Sequence, residues 1–108
     1  MAEFVTAVTT CGTLEAAQAL ATAAIAQHLA ACCQISGPLQ SIYRWQGIIE
    51  TATEWQAAFK TTRAALPALQ ELVLSRHPYD TPEFLVWEIS SGSEKYLTWL
   101  RGEVVDSG

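Results

Sequence analysis

Ser41-Ile42-Tyr43-Arg44-Trp45-Gln46-Gly47-Ile48-Ile49-Glu50 constrains this chain more than any other stretch. Ile42, Tyr43, Trp45, Ile48 and Ile49 favour strands, because bulky and β-branched side chains fit a pleated surface. Gln46-Gly47 supplies the turn, since Gly47 takes a positive φ at little steric cost. The stretch therefore predicts the tip of a β-hairpin. Two aromatics and an arginine beside a turn make an adhesive tip, which predicts that the hairpin also builds an oligomer.

The flanks extend this reading. Phe4 to Thr10 alternates and is β-branched, a first strand. Cys11-Gly12-Thr13 turns the chain, and Thr13 caps an alanine-rich helix expected from Leu14 to about Ala31, with His28 near its C-terminus. Gln34 to Leu39 is extended but interrupted by Gly37-Pro38, a bend or edge position. The segment from Thr51 to Lys60 carries both periods: Trp55 and Phe59 are four apart, yet Thr53, Trp55, Ala57 and Phe59 alternate with Glu54, Gln56 and Lys60. The hairpin needs a partner strand, so strand is the assignment. A second helix is expected from Thr61 or Thr62, with Pro67 in its first turn and Leu66, Leu69, Leu72 and Val73 inward, ending at Ser75 to Pro78. Phe84 to Ile89 forms a further strand. Ser90 to Ser93 then turns into a short helix with Tyr96, Leu97, Trp99 and Leu100, followed by a polar, frayed tail from Gly102 to Gly108. This order predicts an α+β fold, a ferredoxin-like (split βαβ) sandwich with a long hairpin and an extra C-terminal helix, as one domain over residues 1–108.

Composition narrows function. The net charge is −5 and the pI about 4.8, with only six scattered lysines and arginines, so nucleic acid is an unfavourable partner. No apolar run approaches the roughly 20 residues of a membrane span. Glu3 stands where a signal peptide needs basic residues, which favours a cytoplasmic protein. Cys11, Cys32 and Cys33 form neither a disulfide framework nor a zinc motif. Their placement predicts that Cys32 and Cys33 are reduced, largely buried and slow to react, with Cys11, in a glycine-containing turn, the most reactive.

His77-Pro78-Tyr79-Asp80-Thr81-Pro82-Glu83 is the densest polar loop. Two readings stand side by side. In one, His77 contacts a metal or ligand with Glu83 and Tyr79 beside it. In the other, two prolines and an Asp80 turn make a rigid connector. The aromatics Tyr43, Trp45, Trp55, Tyr96 and Trp99 line either a cleft between subunits or a core and interface; Trp55 and Trp99 suit the latter. Glu50 is placed to pair with Lys60 or Arg44 across strands. No phosphate loop, nucleophile elbow or paired acid and base appears, so catalysis has no support.

Four segments resemble the CutA family of divalent-cation tolerance proteins: Leu29-Ala30-Ala31-Cys32, the hairpin from Ser41 to Glu50, Lys60-Thr61-Thr62, and the loop from His77 to Glu83. Tyr96-Leu97-Thr98-Trp99-Leu100 is similar to the family's closing pattern. The resemblance implies a ferredoxin-like subunit, a homotrimer built by the hairpins, a shape like PII signalling proteins and a part in copper tolerance. It implies a metal site at His77 and Glu83 and a ligand cleft with Tyr43, Trp45, Glu50, Lys60 and Tyr79. It implies no obligatory cofactor, and Cu(II) or another divalent cation bound weakly. Two departures weaken a soft-metal site: Arg76 precedes His77 where many members have a second histidine, and Thr9 stands where some have cysteine. The other reading is a PII-like signalling or anchoring module that holds a metabolite or a partner's tail in the inter-subunit cleft.

Overall fold

The computed structural model describes residues 1–104. Its elements are β1 (Phe4–Cys11), α1 (Leu14–Ala26), β2 (Cys32–Trp45), β3 (Ile48–Thr62), α2 (Leu66–Arg76), β4 (Leu85–Glu88) and α3 (Glu94–Glu103). The four strands form one sheet in the order β2-β3-β1-β4 with every pair antiparallel. This is the expected ferredoxin-like arrangement, and the ambiguous segment from Thr51 to Lys60 is indeed strand.

Alternation along the strands sets the layers. Ala7 and Cys11 of β1, Ala57 and Phe59 of β3, and Ala17, Leu20, Ala24, Leu69, Leu72 and Val73 of the two helices form the main core. The small alanines let α1 lie close on the sheet. The face that carries Phe4 meets α3 instead, where Phe4, Ala65, Leu100 and Val104 make a second cluster.

Several boundaries differ from the sequence reading. Helix α1 stops at Ala26 rather than near Ala31. His28 adopts φ 57°, and the amides of Gln27, His28 and Leu29 close back onto Ala23, Ile25 and Ala24. His28 thus lies beyond the helix, where its Nδ1 donates to the carbonyl of Glu103 at 3.1 Å. Thr61 and Thr62 do not start α2. They finish β3, because Thr62 is still paired with Phe4, and the Thr62 hydroxyl accepts from Ala65 N–H at 3.2 Å in the turn before the helix. Cys11 is not in a turn. It ends β1, paired with Trp55, and is fully buried. Cys32 and Cys33, expected to be largely buried, are only partly so. At the C-terminus α3 runs through Glu103 and Val104 is buried, so the frayed tail does not begin at Gly102; its remainder, residues 105–108, lies outside the described residues.

Strand β2 is an edge strand and carries a bulge: Ser36 pairs with Gln56 but Leu39 pairs with Glu54. Gly37 sits there with φ +152°, and a Cβ on it would lie 2.7 Å from Trp55 Cδ1. Beyond the bulge the β2–β3 hairpin runs on, giving the molecule extents of 45 × 24 × 22 Å.

Candidate functional site

The loop from His77 to Glu83 is pinned to the sheet at three points. His77 is buried, and its Nε2 lies 2.8 Å from the carbonyl of Thr10, which can only accept, so Nε2 carries the proton. Its Nδ1 accepts the Tyr79 N–H at 3.0 Å. The Thr9 hydroxyl donates to the carbonyl of Glu83 at 2.6 Å. The Tyr79 hydroxyl donates to Glu54 Oε2 on β3 at 2.8 Å. Gly12 leaves room for this last contact, since a Cβ there would stand 3.1 Å from the Tyr79 oxygen.

Between this loop and the hairpin lies a cavity of about 620 Å³. Its walls include Tyr43, Trp45 and Tyr79, with the carboxylates of Glu50, Glu54, Asp80 and Glu83. Tyr43 and Glu50 are cross-strand partners, which places them together on the face that also carries Glu54. No lysine, arginine or histidine lines it among the described residues, so its field is negative. Burial, and next the bond to Glu54, push the Tyr79 phenol above its ordinary value. Burial, with Glu54 second, likewise raises the Cys11 thiol, whose sulfur is 3.7 Å from His77 Nε2.

The structure brings together Tyr43, Trp45, Glu50, Tyr79 and Glu83 from the sequence reading. It does not bring Lys60. That residue lies six positions beyond Glu54 on the same strand, about 20 Å away, and its Nζ donates to Gln34 Oε1 at 2.5 Å. Glu50 makes no salt bridge with Lys60 or Arg44; Arg44 Nη1 donates instead to Gly47 O at 3.3 Å. His77 stands behind the cavity with both ring nitrogens engaged. Among the described residues no three His, Cys, Asp or Glu side chains converge to hold a metal ion. The sequence reading missed Glu54. Its alternation with Trp55 already set it opposite the core face, but its meeting with Tyr79 is tertiary.

The chain matches the family model described as CutA1 divalent ion tolerance protein over residues 5–103. It is 44% identical over 87 residues to the divalent-cation tolerance protein CutA of Thermus thermophilus, covering 81% of this chain and 84% of that one. Among solved structures, CutA from Synechococcus elongatus superposes with a TM-score of 0.92 at 46% identity, over 97% of this chain and 93% of that chain. CutA1 from Oryza sativa superposes with a TM-score of 0.95 at 35% identity, over 98% and 97%. The chain spans about half the length of the chloroplastic CutA proteins of rice and Arabidopsis thaliana that it matches. With the family model matched over residues 5–103 and solved CutA structures sharing the fold, the chain belongs to the CutA1 divalent ion tolerance family.

Proposed function

We propose that this protein serves divalent-cation tolerance as a homotrimer, attracting cations weakly into the acidic cavity, without catalysis. The observation that carries the reading is the all-acidic set of charged side chains around that cavity, in a chain whose family is described by divalent ion tolerance. Among the described residues of one subunit no coordination sphere is closed. Glu83 is therefore the direct contact, and His77 joins only when its bond from Tyr79 N–H opens. Such a site has modest affinity and poor discrimination between Cu(II) and Zn(II).

The trimer is supported by apolar surface. Ile42 and Ile49 are each 66% exposed, and Tyr43, Trp45, Ile48, Leu85, Trp87, Tyr96 and Trp99 are also open, more than a monomer of this size ordinarily leaves to water. Three free cysteines suit a reducing compartment, and we place the protein in the cytoplasm. No helix among the described residues is long and apolar enough to cross a membrane.

Isothermal titration with Cu(II) and Zn(II) tests the cation reading. Saturable binding of both, weakened in Glu83→Gln, is the expected result. Unchanged binding in Glu83→Gln would overturn the assignment of that contact.

A further inference from the structure

We infer that the same cavity accepts a small organic cation of the alkylammonium class, its charge set against Glu54 and its alkyl groups against Tyr43 and Trp45. The inference rests on the reading of the cavity as a cation site and adds the shape of the occupant. Three observations lead to it. Glu54 is only 8% exposed, yet the described residues offer it a single neutral donor, the Tyr79 hydroxyl at 2.8 Å on Oε2. Its Oε1 has no partner among the described residues and is not sealed from the cavity. A carboxylate so far removed from water without a counter-charge is a standing demand for a cation.

The second observation is dispersion of the donors. Bare divalent ions need several oxygens converging at about 2.0–2.6 Å, and among the described residues no three donors do so. Four carboxylates spread around about 620 Å³ suit a bulkier cation with delocalised contact. The third is the aromatic wall of Tyr43, Trp45 and Tyr79. Aromatic faces attract alkylated ammonium groups through the ring quadrupole while burying their methyl surface.

Choline is the probe, with its uncharged carbon isostere dimethylbutanol as the control, titrated calorimetrically into the full-length protein. Choline should bind saturably and roughly tenfold or more tightly than the isostere. Glu54→Gln, which keeps the shape and an acceptor for Tyr79, should lose roughly tenfold. Tyr43→Leu, with light scattering to show the same assembly state as the parent, should weaken choline more than dimethylbutanol. Equal binding of the two compounds, or no saturable choline binding, overturns the inference. Cu(II) and Zn(II) titrations in parallel separate the two claims. Metal without choline removes only the organic cation; choline without metal removes only the metal reading; neither removes both.

Discussion

The three cysteines show how far a residue's chemistry depends on neighbours that are remote in sequence. Cys11 is fully buried at the end of β1, and burial raises its thiol above the ordinary value. Cys33 packs against the main core, and burial, then Cys32, push its thiol up to about 12. The thiolate is the reactive form, so both should react slowly at neutral pH. In native protein treated with a maleimide and digested for mass spectrometry, Cys32 should label first and Cys11 last; rapid labelling of Cys11 would contradict its place in β1. Tyr79 offers a second test. Tyr79→Phe removes the donor to a buried carboxylate and should destabilise the fold by ~1–3 kcal/mol in urea unfolding. No sequence rule pairs Tyr79 with Glu54, 25 positions apart. The same holds for His77: its residue type suggested a ligand, whereas its two hydrogen bonds give it a share in fixing the loop.

Elements were more legible than their ends. The hairpin, β3 and the inward stripe of α2 followed from alternation, helical spacing and Pro67. The end of α1 did not, because it turns on His28 rather than on a glycine. The end of β3 did not, because Thr61 and Thr62 are still paired with β1. Helix α3 and strand β4 are held to the N-terminal segment partly by charge. Arg101 Nε donates to Glu3 Oε2 at 2.7 Å, and Glu88 Oε2 accepts from Ala2 N–H at 3.0 Å and from Arg63 Nη2 at 2.7 Å. The Arg101 hydrogen bond depresses the Glu3 carboxyl, and the Ala2 amide chiefly depresses that of Glu88. A carboxyl with a lowered folded-state value stabilises above its unfolded value and loses that contribution as pH falls through the folded value. These contacts should therefore hold at neutral pH and weaken only in acid, below about 4.5. Both pairs are exposed, so the effect should be small and reduced by salt. A tryptophan-fluorescence pH titration of the parent and Glu3→Gln reads this, and a transition near neutrality shared by both would contradict it.

For the whole molecule, assembly and stability should be one equilibrium if the hairpin builds the trimer. The thermal midpoint should rise with protein concentration. Trp45→Glu, which places a charge in the exposed apolar tip, should dissociate the assembly or prevent folding. Light scattering that shows a well-folded monomer of the parent protein at micromolar concentration would refute the trimer. The main core should behave independently of this. Phe59→Ala, at a fully buried position, should cost ~3–5 kcal/mol in any assembly state.

The bulge in β2 works as a phase shift. Between Ser36 and Leu39 the strand advances three residues while β3 advances two. Before it, odd-numbered Cys33 and Ile35 point into the core; after it, odd-numbered Tyr43 and Trp45 share the opposite face with Glu50 and Glu54. Straight pairing through this point would set Tyr43 opposite Ile49, so absorbing one residue in the bulge decides whether the aromatic wall meets the acidic one. The candidate site is accordingly more sensitive to length than to identity. Deleting Pro38 should remove the bulge and leave Leu39 opposite Glu54, so Tyr43 and Trp45 keep their face, whereas deleting Gln40, beyond the bulge, should rotate them to the other face and abolish ligand binding while circular dichroism still reports the sheet. Lengthening the strand pair by two residues beyond the bulge keeps the parity and should only move the tip outward. Within such a framework, hairpins of different reach can share one set of facing side chains, provided the insertions come in pairs.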